Sequence, residues 1–212
     1  MNIIIFGASG ATGKELVNQA LEQGFKVTAF VRSSPKLGKT HANLRVFTGD
    51  VLEKSAVVAA IPGHDAVLIS LGAPARKAGT LRSDGTRNII EAMQASNVCR
   101  LVCQSSLGFG DSLPVLRQTS FIFRNIIVPL FLRDTFEDHA RQETVVKAST
   151  LDWTIVRPGS MTNAPPKLSF LHGFSPYQQS IKVKVSRADV AHFMLQLSAC
   201  KDYLHQTPGI SD

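Results

Sequence analysis

The amino-acid sequence predicts an α/β protein with helices on both sides of a parallel β-sheet. Short apolar runs alternate with stretches of helical periodicity from one end of the chain to the other. The length of 212 residues corresponds to one domain, and a hydrophobic share of 44% is ordinary for a globular protein. We therefore expect a single domain over residues 1–212 with a Rossmann-like, doubly wound parallel sheet.

The first part of the chain contains four short, mainly apolar runs that we interpret as strands: Asn2–Phe6, Lys26–Val31, Leu44–Thr48 and Ala66–Leu71. Helices are predicted between or after them, at Thr12–Gln23, Lys54–Ala60 and Leu81–Ser96. Gly24 directly follows the first of these helices, which is a common residue at a helix C-terminus. The alternation is the one that a parallel sheet requires.

The second part of the chain is less regular. Two further strands, Leu101–Gln104 and Trp153–Val156, flank a predicted helix at Asp134–Ser149. A short late strand at Ile181–Val185 precedes Ser186, which we expect to cap a last helix that ends near Ser198. Residues 107–133 are apolar and basic and lack a clear period, and residues 163–179 form a loop-rich insertion. We expect substrate-side loops around 107–133 and 161–180.

The charge balance favours an anionic partner. Lys and Arg number 23 against 16 Asp and Glu, which gives a net charge of +7. The positive charges are scattered, and common nucleic-acid-binding signatures are missing. We therefore expect a small-molecule substrate rather than nucleic acid, and a monomer or weak dimer.

The most apolar stretch, Phe121–Leu132, is too short and too interrupted to span a membrane. It is interpreted as a buried helix that covers the site, with a membrane-surface contact as the alternative. Three cysteines, Cys99, Cys103 and Cys200, form an odd number without metal-type spacing. The chain start has no signal-peptide pattern. These features predict a cytoplasmic protein without a metal.

The strongest motif is a glycine-rich turn between the first strand and the first helix. It reads Gly7-Ala-Ser-Gly10-Ala-Thr-Gly13. A dinucleotide pyrophosphate needs close backbone approach and free N–H groups at a helix N-terminus, and glycine permits both. We therefore predict that the cofactor phosphates contact Gly7, Ser9, Gly10, Ala11, Thr12 and Gly13. The alternative is a turn that only packs the helix against the strand.

The end of the second strand indicates which dinucleotide binds. An acidic residue there would bind the ribose hydroxyl of NAD, but this chain has none. Arg32, with Ser33 and Lys36 after it, suits the 2′-phosphate of NADP. The sequence therefore predicts NADP(H), the alternative being a solvated basic loop.

Ligands of such sheets lie outside the carboxyl ends of the strands. This rule places Asp50 and Val51, after the third strand, near the adenine, although Asp50 is equally suited to cap the following helix. It places Leu71 and Gly72, after the fourth strand, along the middle of the cofactor.

The chain is similar to the atypical short-chain dehydrogenase/reductase superfamily, in its NAD(P)-binding, NmrA-like branch. The similarity is carried by the residues above and by the segments VRSSPK, GDV, SDGTRNIIEAM, RPG and SRADVAHFML. The resemblance covers Asn2 to about Leu197 and is strongest to the biliverdin-IXβ reductases, also known as flavin reductases. It implies NADPH that donates hydride to a flavin or a biliverdin-type tetrapyrrole, with FMN or FAD as a substrate and not a bound prosthetic group.

The same resemblance implies further cofactor contacts from Ser105, Ser106, Pro158 and Gly159. Ser106 corresponds to the serine beside the nicotinamide and is the candidate catalytic residue, the alternative being a hydrogen bond that closes the strand. The biliverdin-IXβ reductases can carry a histidine where this chain has Gly159.

Carbonyl-reducing members of the superfamily use a tyrosine with a lysine four residues later. Tyr177 and Tyr203 lack that lysine, and Asp134–Ser149 contains no tyrosine. Alcohol–ketone chemistry is therefore not expected. Reduction of a conjugated ring needs only stacking of donor and acceptor, with a proton from solvent.

Phe109, His139 and Met161 are the candidate substrate contacts, together with the segment Pro165–Phe174. Charges are available from Arg76, Lys77, Arg133 and Lys167. A histidine on a helix face is more often structural, so the alternative for His139 is a structural role, although the resemblance places it facing the pocket. Asp189 is interpreted as a structural residue that favours the dipole of the last helix. The alternative function is an NmrA-like redox sensor that binds NADP without turnover.

Overall fold

A central eight-stranded sheet organises the computed structural model, which describes residues 1–33, 38, 40–73 and 79–212. Its six principal strands are β1 (Asn2–Phe6), β2 (Lys26–Val31), β3 (Leu44–Thr48), β4 (Ala66–Ile69), β5 (Arg100–Gln104) and β6 (Asp152–Pro158). They are parallel and lie in the order β3-β2-β1-β4-β5-β6. The order reverses between β1 and β4, so the predicted doubly wound fold is confirmed and the crevice for a ligand lies there.

Helices cover both faces of the sheet. They are α1 (Ala11–Glu22), α2 (Lys54–Ala60), α3 (Leu81–Ala95), α4 (Arg133–Lys147) and α5 (Arg187–Ala199). Alternate residues of β1 enter two separate cores: Ile3 and Ile5 pack with residues of α1 and α5, whereas Ile4 and Phe6 pack with residues of α2, α3 and α4. Because both faces are buried, the strand is apolar throughout instead of alternating with polar residues.

Four short strands complete the structure. β10 (Gly209–Ser211) adds to β6 in parallel, and β8 (Leu171–His172) adds to β10 in the antiparallel direction. β7 (Ser160–Thr162) pairs with β9 (Lys184–Ser186) in a separate two-stranded sheet. The predicted strand at residues 181–185 is therefore shorter and ends one residue later. Strands of two or three residues leave too little sequence pattern to be predicted.

The segment between β5 and α4 contains two irregular helices. A 3₁₀-helix runs over Gly110–Gln118 and a π-helix over Phe123–Leu132. Pro129 lies inside the π-helix, and its missing N–H is incompatible with regular α-helical hydrogen bonding. None of the π-helix residues is buried, and Phe121 and Leu130 are both 70% exposed. The interpretation of this stretch as a buried helix is wrong. Across the described ranges, no helix has the length and apolarity to cross a membrane.

A buried ion pair fixes α4 against the sheet. The Arg157 guanidinium of β6 donates to both carboxylate oxygens of Glu143, at 2.8 Å and 2.5 Å, and both side chains are almost fully buried. Burial alone raises the pKa of Glu143, but the hydrogen bonds and charge of Arg157, with those of Lys147, outweigh it and hold that pKa below its usual value. Arg157 also binds Asp111 at 2.7 Å, which ties the 3₁₀-helix to the same point.

Candidate dinucleotide and acceptor site

A cavity of about 780 Å³ lies at the carboxyl ends of the strands. It extends over the strand-order reversal, where the sequence predicts the ligand crevice. The predicted site residues that line it are Gly7, Ser9, Gly10, Ala11, Thr12, Arg32, Val51, Leu71, Gly72, Ser105, Ser106, His139, Pro158, Gly159 and Met161.

Two glycines of the turn are required by packing. Gly7 has a φ of +83°, and a Cβ there would lie 2.2 Å from the backbone oxygen of Ser70. A Cβ on Gly13 would lie 2.1 Å from the backbone oxygen of Gly7. No side chain fits at either position, so these residues bring α1 close to β1 and to the end of β4. Gly13 is not among the residues that line the cavity.

The N-terminus of α1 is open to the cavity. Gly10, Ala11 and Thr12 line the cavity there, and Gly10 is the N-cap. No side chain caps the helix, and its first turn contains no acidic residue. The first amides of a helix have no partner inside it, and the helix dipole makes this end positive. The turn therefore packs the helix against the strand and also leaves free amides at the positive end of α1, and this arrangement fits a dinucleotide pyrophosphate.

On the adenine side of the turn, Arg32 is exposed and lines the cavity at the end of β2. Ser33 is half-buried and is not among the lining residues, and Lys36 lies outside the described residues. Val51 is buried in the cavity wall. The Asp50 carboxylate accepts a hydrogen bond from the backbone N–H of Leu52 at 3.0 Å. It therefore closes a turn before α2, whose N-cap is Glu53, and does not cap that helix.

Polar side chains join the ends of β4 and β5. The Ser70 hydroxyl donates to Gln104 at 2.8 Å, and the Gln104 amide donates to the sulfur of Met161 at 3.4 Å. The Thr12 hydroxyl lies 3.7 Å from the same sulfur. Met161 is therefore held between the glycine turn and the end of β5.

The two serines after β5 differ. The Ser106 hydroxyl donates to the backbone oxygen of the next residue, Leu107, at 3.0 Å. The Ser105 hydroxyl is buried and has no hydrogen-bond partner, and Ser105 lines the cavity. Its orphan hydroxyl is suited to a polar group of a bound cofactor.

The packing at the end of β6 explains why a glycine, Gly159, follows Pro158. A Cβ on Gly159 would lie 2.5 Å from the carbonyl carbon of Val183. The backbone that leads into β9 therefore occupies the space that a side chain would need. A histidine at this position, as in the biliverdin-IXβ reductases, would require that backbone to move.

His139 lies in the wall that α4 contributes and is buried. Its Nδ1 lies 3.1 Å from Oε1 of Gln142, whose amide donates to the Thr86 hydroxyl at 3.0 Å. An amide oxygen only accepts, so Nδ1 carries the proton. Burial, and after it the charge of Arg82, lowers the pKa of His139 to about 4. The ring is therefore neutral at pH 7.

Phe109 lies behind this wall and is not among the lining residues. Its ring centroid is 5.7 Å from that of Phe136 and 6.2 Å from that of His139. The Arg157 guanidinium lies over its other side, 5.7 Å from the centroid. Phe109 thus supports Phe136 and His139, which both line the cavity.

Sequence reasoning missed several lining residues. They are Gln104, Ser160, Arg82, Thr135, Phe136, Leu116, Phe123, Leu132 and Arg187. Gln104 stands at the end of a strand, so the rule that placed Leu71 and Gly72 along the cofactor would also have found it. Arg82 and Thr135 lie on two different helices, and nothing in the sequence indicates that α3 and α4 bring them to one cavity.

A family model described as NAD(P)H-binding matches residues 7–200. The chain belongs to this NAD(P)H-binding family. The match begins at the first glycine of the turn and extends to the end of α5. The predicted membership in an NAD(P)-binding family is confirmed.

Relatives and solved structures agree with this family. The chloroplastic protein At2g34460 of Arabidopsis thaliana, described as uncharacterized, is 29% identical over 174 residues, which is 77% of this chain and 60% of that protein. A 3-diazoavenalumate denitrifying reductase of a Streptomyces species is 28% identical over 176 residues, covering 76% of this chain and 56% of that protein. This chain thus matches less than two thirds of the length of either relative.

Among solved structures, ChuY, an anaerobillin reductase from Escherichia coli O157:H7, superposes with a TM-score of 0.76 at 25% identity. The comparison covers 99% of this chain and 96% of that one. The relatives of this family member therefore include reductases.

Proposed function

We propose that the protein is an NADPH-dependent reductase that transfers a hydride to a flat, conjugated acceptor, a flavin or a biliverdin-type tetrapyrrole. One observation carries the proposal. A single cavity joins the open N-terminus of α1 and Arg32 to a wall of apolar and aromatic side chains, which includes Leu116, Phe123 and Phe136. Among the described residues, no tyrosine or lysine lines that cavity.

In this proposal, the chain binds the cofactor along the carboxyl ends of the strands. The amides of Ala11 and Thr12 bind the pyrophosphate. The Gly10 N–H donates to the Gly7 oxygen at 2.9 Å, so Gly10 contributes by letting the phosphate approach closely. Arg32 binds the 2′-phosphate, with Lys36 and Ser33 as additional predicted contacts. The remaining predicted contacts follow the cavity from the adenine to the nicotinamide: Asp50, Val51, Leu71, Gly72, Ser105, Ser106, Pro158 and Gly159. NADPH, when bound, supplies the hydride.

The residues around the acceptor position it and do not act as an acid. His139 is neutral at pH 7 and its proton is used by Gln142. The Ser106 hydroxyl is used by a backbone oxygen. Charge that arrives on a conjugated ring is delocalised, so solvent can supply the proton and the protein contributes proximity and orientation. We accordingly expect only a modest loss of activity for Ser106→Ala.

The relatives support a reductase without naming its acceptor. Both the Streptomyces reductase and the anaerobillin reductase carry that activity in their names. The segments 107–133 and 161–180 are proposed as acceptor-side walls, because Leu116, Phe123, Leu132 and Met161 line the cavity. A reducing compartment such as the cytoplasm, and a monomer or weak dimer, remain predictions. All three cysteines are free thiols, which supports the former.

The test is anaerobic oxidation of NADPH by the purified protein with excess FMN, followed by absorbance. Oxygen is excluded because it reoxidises reduced flavin and disturbs the stoichiometry. We expect protein-dependent loss of NADPH that a control without protein does not show, and biliverdin is the second acceptor. NADPH binding is measured by fluorescence in the same sample.

A redox sensor that binds NADP without turnover is the second candidate. It is favoured by the absence of any side chain in the described cavity lining that can act as an acid at neutral pH. Binding of NADPH without oxidation by FMN, riboflavin or biliverdin would contradict the reductase and support the sensor.

A further inference from the structure

Buried polar atoms without hydrogen-bond partners concentrate at this cavity. Within the part of the chain that the structure describes, they are Nε and Nη1 of Arg82, Oγ of Ser105, Oγ1 of Thr135 and Oδ1 of Asp212. All except Asp212 belong to residues that line the cavity. Leaving such an atom unpaired costs about 1–3 kcal/mol. The Ser105 hydroxyl is explained by the proposed cofactor, but Arg82 and Thr135 are not.

Arg82 has a counter-charge, but its Nε and Nη1 lack hydrogen-bond acceptors. Its Nη1 lies 3.5 Å from Oδ2 of Asp138, too far and too poorly directed for a hydrogen bond. The Asp138 oxygens are already used by the backbone N–H of Arg82 at 3.0 Å, the N–H of Ser83 at 3.1 Å and the Ser83 hydroxyl at 2.7 Å. Arg141 also lies 4.0 Å from this carboxylate. Two guanidinium groups therefore share one negative charge, and the cluster carries a net positive charge.

Thr135 lies on the same side of α4 as this cluster. It precedes Asp138 by three residues and His139 by four, the spacings that share a helix face. Its hydroxyl is buried without a partner. Neutral His139 adds no charge. A planar cation on α3 and a hydroxyl donor on α4 thus line the same cavity, together with the Phe136 ring.

We propose that Arg82 and Thr135 form an anion subsite that binds a carboxylate or phosphate group carried by the conjugated acceptor. A guanidinium presents paired N–H groups whose geometry matches either anion. The subsite gives the enzyme a preference for acidic acceptors over neutral ones of the same ring system. This inference rests on the proposed reductase function, because it assigns this part of the cavity to the acceptor.

The experiment compares acceptors that share a ring system and differ in the anion. FMN and riboflavin test phosphate, and biliverdin and its dimethyl ester test carboxylate. In anaerobic steady-state assays we expect kcat/KM to be about tenfold or more higher for the anionic member of at least one pair, mainly through KM. The pair that shows the preference identifies the anion.

Arg82→Met keeps an unbranched apolar stem and removes the guanidinium with its charge. We expect this variant to bring the ratio of kcat/KM, anionic over neutral acceptor, close to one. The shape-preserving variant Thr135→Val should reduce the same ratio by a smaller factor. Arg87→Met is the matched control, because Arg87 lies on the same helix, is exposed and changes the net charge equally. It should leave the preference unchanged. Circular dichroism checks that each variant is folded. If Arg82→Met does not fold, Thr135→Val still tests the subsite.

Three outcomes would overturn the subsite. The first is a wild-type ratio of kcat/KM, anionic over neutral acceptor, that is near one in both pairs. The second is an equal loss of kcat/KM for anionic and neutral acceptors in Arg82→Met. The third is a loss of NADP⁺ affinity in that variant as large as its loss of affinity for the acceptor. Flavin binding to the NADP⁺ complex, measured by fluorescence quenching, separates this inference from the proposed function. If the protein shows no turnover, the reductase proposal fails. The subsite is still supported in that case if FMN binds more tightly than riboflavin and Arg82→Met abolishes this difference.

Discussion

Two helices, α1 and α3, present their N-termini to the same cavity, but only the N-terminus of α3 is bound by a side chain of the protein. The N-terminus of α1 begins at Gly10 without a side-chain cap or an acidic residue in its first turn. The N-terminus of α3 receives the buried Asp138 carboxylate of α4, which binds the amides of Arg82 and Ser83. Both ends attract an anion, because their first amides are unpaired within the helix and the dipole is positive there.

The difference shows where an external anion can bind. At α3 the protein supplies the carboxylate itself, so those amides are not available to a ligand and only the Arg82 side chain remains. At α1 the amides stay free, and the glycines of the turn let a phosphate approach them. The four predictions below test this contrast, beginning with the change that should cost the most.

Asp138→Ala should have the largest effect on folding. It removes the acceptor for two buried amides and leaves the Arg82 guanidinium without a counter-charge, which costs about 3–5 kcal/mol in the free energy of unfolding. The control is Asp134→Ala in the first turn of the same helix, where an exposed carboxylate contributes about 0.3–1 kcal/mol through the dipole. Urea unfolding measures both, and equal losses would contradict the assigned role of Asp138.

Gly7→Ala should be the next most costly. The new Cβ would lie 2.2 Å from the Ser70 oxygen, whereas at Gly63, which has the same φ of +83°, it would have no atom within 4 Å. We expect Gly63→Ala to cost about 1–2 kcal/mol in backbone strain alone, and Gly7→Ala about 2–3 kcal/mol more through the steric overlap. Gly7→Ala should also weaken NADPH binding, while Gly63→Ala leaves it unchanged. Similar stability for the two variants would show that the turn adapts.

Arg32→Ala tests the basic end of the cavity. Loss of a charge-assisted contact to the 2′-phosphate should weaken NADPH binding by about 10–100-fold and leave NADH nearly unaffected. Lys26→Ala, at the opposite end of β2, is the charge-matched control and should change neither affinity. Fluorescence titration gives both dissociation constants. An equal loss for NADPH and NADH would remove Arg32 from the phosphate site.

His139 should make stability depend on pH to a smaller extent. Its pKa is about 4 in the folded protein and about 6.5 when unfolded. Between these values the unfolded chain binds a proton that the folded protein does not, so stability is complete above pH 6.5 and falls as the pH drops towards 4. From pH 7 to pH 5.5 the loss is about 1 kcal/mol. His139→Gln should remove this part of the slope, and the exposed control His41→Gln should not. A slope that His139→Gln leaves intact would contradict a buried, neutral imidazole.

The sequence was most informative about the first half of the chain. The strands Asn2–Phe6, Lys26–Val31 and Leu44–Thr48 were predicted with their observed bounds. The first two are buried, mainly apolar runs, as parallel strands usually are. Leu44–Thr48 is an edge strand that is largely exposed, and the turn residues Gly49-Asp50 mark its end. The glycine turn and Arg32 were predicted to face the ligand crevice because their positions relative to those strands are fixed by the fold, and they line the cavity. In contrast, the 3₁₀-helix at Gly110–Gln118 and the π-helix at Phe123–Leu132 have no regular period that a sequence could display.

The sequence by itself determined the α/β class, the order of the principal elements and the dinucleotide turn, since these depend on periodicity and on residues adjacent along the chain. Only the tertiary structure decided that Phe109 lies behind Phe136 and His139 and that Gly159 packs against the backbone of Val183. It also brought Arg82 and Thr135 to one cavity. Which helix faces meet, and which polar atoms are then buried without partners, depends on contacts between residues more than 50 positions apart, as between Arg82 and Asp138, and local pattern does not encode them.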